Sequence, residues 1–354
     1  MTGNDKSWMI YGANGYTGEL IAREAVRKGL KPILAGRNET KVQELAQELG
    51  LEFKTFGLDA VEQVIKHLEG VDLVMHCADP FSATSKPMMQ ACLKAGTHYL
   101  DITGEIAVFE LAQSLNDEAQ KANIVLCPGV GFDVIPTDCV ALTLKQAMPD
   151  ATHLALGFDS KSGFSPGTAK TSTEGMAEGG KIRKNGKITN VALAHYVRKI
   201  NFGDGEKSAM SIPWGDVSTA FYTTGIPNIE VFVPAPPKMI CGAKMLNCMR
   251  PLLKLKFIQN MIKAQISKSV VGPDESVRAT LPTYVWGEVR NAKGQIKTAR
   301  IQTDNTYSLT ISGSLIVIQY LLENTAHGGA YTPAKLMGAD LVTKIPGSGS
   351  FTIS

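Results

Sequence analysis

The first third of the chain alternates short apolar runs with longer amphipathic stretches. Trp8 to Tyr11, Lys31 to Ala35, Glu52 to Phe56, Val71 to Cys77, His98 to Ile102 and Ile124 to Cys127 are the short runs. Runs of this length, bounded by polar turns, predict strands buried on both faces. Between them, Tyr16 to Lys28, Asn38 to Gly50, Val61 to Glu69, Ser85 to Ala95 and Ile106 to Ala122 read as helices. In the second of these, Val42, Leu45, Ala46 and Leu49 fall at helical spacing. Strands alternating with helices predict a parallel, doubly wound α/β sheet over residues 1–138.

Beyond Pro149 the texture changes. Residues 157–190 are rich in Gly, Ser, Thr and Lys, and later stretches alternate as antiparallel strands do. Thr280 to Arg290 and Gln295 to Thr303 flank Asn291 to Gly294, a hairpin turn. Tyr307 to Glu323 reads as a short strand or loop leading into a helix. A helix over Cys139 to Met148 follows Thr137 or Asp138 as its cap. The expectation is a second, mixed α/β domain over 139–327, holding the substrate.

Within the first domain, Gly12-Ala-Asn14-Gly15-Tyr16-Thr17-Gly18 joins the first strand to the first helix. Such a turn holds a dinucleotide pyrophosphate on a helix N-terminus, which makes this a Rossmann domain. The second strand ends in Arg37-Asn38 where an NAD site would carry an acid for the ribose hydroxyls. A guanidinium there pairs with the 2′-phosphate of NADP, which a carboxylate would repel. The cofactor expected is therefore NADP.

Composition narrows the class. The 354 residues carry a formal net charge of +3, too mild to argue for nucleic acid. Six scattered cysteines form no C-x-x-C, so neither a zinc site nor a disulfide framework is indicated and a reducing compartment is expected. No signal peptide is visible, and the run Leu315 to Leu322 is far short of a bilayer span. A cytoplasmic location is the expectation.

In a doubly wound sheet the ligand lies beyond the carboxyl ends of the strands. That rule selects Asp59 for the adenine side and the Cys77-Ala78 backbone for a ribose. It places Asp101, Gly129 and Asp133 near the nicotinamide or substrate, with Asp101 and Asp133 as the candidate catalytic acids. The amides from Gly129 to Gly131 are candidate donors to a developing oxyanion. Each acid could equally be a helix cap or loop residue.

Two further patterns are decoys. Gly175 to Lys181 resembles a P-loop, but Ile182 stands where Ser or Thr must reach Mg²⁺. Tyr331 and Lys335 have the spacing of a short-chain dehydrogenase pair, yet Pro333 marks a helix start between them. Residues 238–268 are basic and Met-rich without an acid. They suit a lid, a homodimer face, or a contact with a membrane surface or acyl carrier.

The chain resembles the saccharopine dehydrogenase-like NADP-binding family, nearest its trans-acting enoyl reductase branch. The resemblance rests on Tyr11 to Gly18, Leu34 to Asn38, Gly96 to Glu105, Pro128 to Asp138, Gly167-Thr168 and Gly328 to Ala334. It implies NADP(H) use, a substrate domain, and a C-terminal segment (328–354) packing back on the Rossmann domain. Some relatives act on the C–N bond of saccharopine, others on a C=C bond in long-chain intermediates. The dispersed arginines of the second half favour a less charged, acyl-type substrate over a dicarboxylate. The expectation is hydride transfer to an unsaturated carbon in an interdomain cleft. A non-catalytic, membrane-associated NADPH-binding protein is the rival.

Overall fold

A computed structural model describes residues 6–160, 179–253 and 281–354. They form two compact units, Met1–Ile135 with Leu309–Met337, and Pro136–Ser308 with Gly338–Ser354.

The first unit is built on β1 (Trp8–Tyr11), β2 (Ile33–Gly36), β3 (Phe53–Thr55), β4 (Leu73–His76), β5 (His98–Asp101) and β6 (Val125–Cys127). All pair in parallel, in the order β6-β5-β4-β1-β2-β3. β1, β4 and β6 are buried at every position, as strands covered on both faces by helices must be. The connections carry α1 (Tyr16–Arg27), α2 (Glu39–Leu49), α3 (Val61–Leu68), α4 (Phe81–Ala95), α5 (Ile106–Ser114) and α6 (Asn116–Ala122). α1 buries Gly18, Ile21, Ala22 and Ala25, one helical stripe.

The single helix expected over Ile106 to Ala122 is divided. Ser114 Oγ donates to the Leu111 carbonyl at 2.7 Å, and the chain leaves helical geometry at Leu115. A hydroxyl that bonds its own backbone competes with the helix ladder.

The second unit holds α7, which runs Ile135–Ala147 and starts at the boundary, and a mixed sheet. Its strands are β7 (Ala151–Ser160), β8 (Gly180–Lys184), β9 (Lys187–Val191), β10 (Val197–Asn201), β11 (Glu206–Ile212), β12 (Asn228–Pro234), β13 (Thr283–Asn291) and β14 (Ile296–Thr303). β7 lies between β12, its parallel neighbour, and β13, its antiparallel one. The hairpin of β13 and β14 turns at Gly294, whose φ of +79° is the left-handed geometry that turn requires. Two further helices are α8 (Asp216–Thr224) and α9 (Pro237–Leu253).

Because α7 opens at Ile135, Thr137 and Asp138 lie in its first turn rather than at its cap. Pro136 suits that position, where no N–H is needed. Thr137 Oγ1 donates to Asp216 Oδ1 at 2.6 Å, and Thr223 Oγ1 to Asp138 Oδ1 at 2.5 Å, tying α7 to α8.

The C-terminal part crosses between the units, which differs from boundaries at 138 and 327. α10 (Thr306–Glu323) is a helix from its first residue, capped by Asn305, whose Oδ1 accepts the Tyr307 and Ser308 amides at 3.0 Å. From Leu309 it groups with the first unit. β15 (Gly329–Ala330) then adds a seventh parallel strand beside β6. After α11 (Pro333–Met337), β16 (Thr352–Ile353) pairs with β14 in the second unit. The 328–354 segment is thus divided at Gly338, each half following the sheet that satisfies its backbone. Among the described residues no helix is long and apolar enough to cross a membrane.

Candidate cofactor site and acid pair

The turn after β1 is fixed by its glycines. Gly12 has φ +84°, and a Cβ there would lie 2.8 Å from the backbone of Cys77 and Ala78, beyond the end of β4. A Cβ at Gly18 would meet the Gly12 carbonyl at 2.3 Å. The turn therefore closes only with hydrogen at both positions. Gly12 and Ala13 donate to the Ala35 carbonyl at 2.8 and 3.1 Å, which locks the turn to β2. Gly15 is exposed and stands at the N-cap of α1, and no side chain caps that helix. Tyr16 is also exposed and Thr17 half-buried, so the first turn of α1 faces outward with its positive dipole end.

At the tip of β2, the Asn14 side-chain oxygen fills the space a Cβ at Gly36 would take. Arg37 is exposed, and no ion pair among the described residues includes it. The neighbouring Asn38 is already occupied in part: its Oδ1 accepts the Lys41 amide at 3.1 Å and caps α2. Tyr11 gathers the remaining charges. Its hydroxyl donates to the Phe56 carbonyl at 3.0 Å, and burial pushes its phenol up to about 12. Arg37 pulls that value down and Asp59 pushes it up, so both charges act on the same end of the sheet.

Residues 8–127 match the model of the saccharopine dehydrogenase NADP binding domain. This segment is a saccharopine dehydrogenase-type NADP-binding domain. The chain is 26% identical over 209 residues to a saccharopine dehydrogenase-like oxidoreductase of Rattus norvegicus, covering 52% of this chain and 49% of that one. It is 28% identical over 182 residues to a Mycobacterium tuberculosis protein named as a trans-acting enoyl reductase, covering 47% and 43%. The chain thus spans about half the length of the curated relatives it matches. Apo saccharopine dehydrogenase (L-Glu forming) from Saccharomyces cerevisiae has the same fold, with TM-score 0.67 at 12% identity over 99% of this chain and 100% of that one.

The hydrogen-only Gly12 and Gly18, the open helix end at Gly15 to Gly18 and the exposed Arg37 fit a pyrophosphate and a 2′-phosphate.

The two candidate acids differ sharply. Asp101, at the end of β5, is fully buried. Its Oδ2 accepts from the Tyr99 hydroxyl at 2.7 Å, and its Oδ1 from the Thr103 and Gly129 amides, both at 2.9 Å. Its own carbonyl accepts the Val130 amide at 2.8 Å. Burial raises Asp101 to about 6, against the opposing pull of these three donors. Asp101 is thereby a clamp between the loops after β5 and β6, and no face of it is left for a reactant.

The same bonds already occupy two of the three expected oxyanion donors, Gly129 and Val130. The Gly129 and Val130 amides both serve Asp101, and the Phe132 amide donates to Thr310 Oγ1 at 3.0 Å. Gly129 itself is buried, packed against Val134 and Phe109, rather than open to a cofactor.

Asp133 is only partly covered, and its Oδ2 occupies the space that a Cβ at Gly104 would need. Burial first, and then the charge of Asp79, lift it to about 7. The loops after β4, β5 and β6 therefore bring Asp79, Gly104 and Asp133 together at the carboxyl edge. The strand-end rule takes in Cys77 to Phe81 without singling out Asp79, whose signal is position alone, an acid directly after a central strand.

Below this edge lies His76, fully buried on β4 and stacked on Tyr11 at 5.6 Å. Thr84 Oγ1 gives its proton to the Ala78 carbonyl at 2.7 Å, so it accepts from His76 Nε2 at 2.9 Å. Nδ1 is then the bare nitrogen and has no partner, and burial drives the ring down to about 3. His76 is a neutral core residue.

The decoys resolve locally. Lys181 and Ile182 lie inside β8, not at a helix start; the rest of that motif, Gly175 to Glu178, and the Gly167-Thr168 pair lie outside the described residues. Tyr331 extends the β6 ladder through its amide to Leu126 at 2.9 Å, while α11 begins only at Pro333, so Tyr331 and Lys335 share no helix.

Proposed function

We propose that the protein is an NADP-dependent oxidoreductase that reduces a carbon–carbon double bond conjugated to an acyl carbonyl. Bound NADPH supplies the hydride. The chain's part is to hold the cofactor at Gly12 to Gly18 and Arg37, and to keep a proton ready on Asp133. In such a reduction the β-carbon gains hydride, the electron pair moves to the carbonyl oxygen, and the α-carbon takes a proton. An acid poised near neutrality is suited to that last transfer, and solvent restores its proton. The single observation that carries this reading is Asp133 raised to about 7 beside Asp79 at the carboxyl edge.

Three arginines of the second unit favour an acyl substrate over an amino-acid-derived dicarboxylate. Arg183 is buried and donates to the Val217 and Gly186 carbonyls at 2.6 and 2.7 Å. Arg198 forms a two-point pair with Glu288, and Arg300 donates to the Asn201 carbonyl. These three are engaged within the protein, whereas two carboxylates on a substrate would call for free ones. Steady-state NADPH oxidation over a panel of enoyl thioesters, saccharopine and its keto-acid precursors tests the reading. Turnover of an enoyl thioester is expected; turnover confined to the amino-acid substrates would overturn it.

A further inference from the structure

Among the described residues, the packing and hydrogen bonds of helix α9 gather on one face. Ile240 and Ala243 pack with Ala194, Met210 and Ala235, and Asn247 exchanges hydrogen bonds with the Leu193 amide (2.8 Å) and carbonyl (3.2 Å). Positions 240, 243 and 247 form one helical stripe. The opposite stripe, Cys241, Met245 and Cys248, is exposed, and Met239 is exposed elsewhere on the helix. Met245 is 68% and Met239 52% exposed, among the most exposed large hydrophobic residues described. Lys238 and Lys244, both exposed, flank this apolar strip. No acid occurs between Glu230 and Asp274, and cations continue at Lys254, Lys256, Lys263 and Lys268, which lie outside the described residues.

We infer that α9 docks on an anionic lipid surface, lying in its plane with Met245 inserted and Lys238 and Lys244 on the headgroups. A helix with an apolar strip and lysines beside it meets the two demands of such a surface, hydrocarbon to bury and negative charge to neutralise. A second copy of the chain satisfies the charge poorly. Two such helices meeting would set Lys238 and Lys244 against cations, with no acid on either helix to pair them. The inference is independent of the reaction proposed above.

The test is co-sedimentation of the full chain with vesicles of phosphatidylcholine alone or mixed with phosphatidylglycerol, at low and high salt. The variants are Met245→Glu and the double substitution Lys238→Glu/Lys244→Glu. Both alter exposed side chains, and an unchanged thermal transition and NADPH affinity verify the fold. Binding selective for phosphatidylglycerol, weakened by salt and reduced at least about tenfold in each variant, is expected. Absence of binding, equal binding to phosphatidylcholine, or wild-type binding by both variants would overturn the inference. So would a concentration-dependent dimer that Met245→Glu dissociates in a protein that ignores vesicles, which would make the strip a self-contact.

Discussion

Replacing Asp101 separates a structural clamp from a catalytic acid. Asp101→Ala removes the acceptor of three buried donors, the Tyr99 hydroxyl and the Thr103 and Gly129 amides. Each donor left unsatisfied costs about 1–3 kcal/mol, so the loss should reach roughly 3–6 kcal/mol once relaxation is allowed. That is a large part of an ordinary domain's stability of about 5–15 kcal/mol. Asp101→Asn keeps an oxygen for both amides and asks only that the Tyr99 hydroxyl turn to accept, so it should lose about 1 kcal/mol. The two variants also differ from wild type in pH dependence. The folded carboxyl is raised to about 6, above its usual value near 4 when unfolded. Between those values the folded state holds the proton and the unfolded state has lost it, so this group's contribution falls as pH rises from about 4 to 6. The slope should vanish in Asp101→Asn. Urea unfolding monitored by circular dichroism at several pH values reads both effects. An Asp101→Ala protein within about 1 kcal/mol of wild type, or an Asp101→Asn protein of full stability but no turnover, would refute the clamp.

Three further perturbations address the cofactor and the proton. Arg37→Ala should weaken NADPH by roughly 2 kcal/mol, about 30-fold, and leave NADH unchanged in isothermal titration; equal affinities in wild type would remove Arg37 from the site. Gly12→Ala places a Cβ 2.8 Å from the Cys77-Ala78 backbone at φ +84°. It should cost about 1–3 kcal/mol in thermal unfolding and abolish NADPH binding; tolerance of alanine would contradict the closed turn. For an acid raised to about 7, kcat should fall as pH climbs past that value, and Asp133→Asn should lower kcat by about 10²- to 10⁴-fold. Asp79→Asn removes a neighbouring negative charge, so it should move that alkaline limb to lower pH; a limb that stays put or moves up would dissociate the pair.

How much of this was legible depended on how local each cause is. Parallel strands buried on both faces write themselves as apolar runs, so β1, β4 and β6 could be read directly. The glycine turn and Arg37 lie within one strand–helix–strand unit and were equally plain. β15 is two residues long, with no pattern of its own, and exists because β6 offers an open edge. The start of α10 was missed although Asn305 is an N-cap signal, because Thr306, Tyr307 and Thr310 read as strand formers. The break at Leu115 sits beside a serine hydroxyl turned back on its helix, a contact no residue pattern announces.

The acids show what a sequence alone leaves open. Asp101 and Asp133 each follow a sheet strand, and position gives them equal claims on the reaction. Their described surroundings differ. Asp101 meets a tyrosine two residues back on its own strand and an amide from the loop after the next strand, so its charge is answered by the fold. Asp133 has Asp79 as a like-charged neighbour, which favours its protonated form as burial does. One carboxyl thus holds loops together, while the other, which we propose as the proton donor, lies at the carboxyl edge of the sheet and is raised to about 7. Burial raises both acids, Asp101 to about 6 and Asp133 to about 7, so the proton-transfer role we propose for Asp133 stands or falls on the shift of its titration on Asp79→Asn.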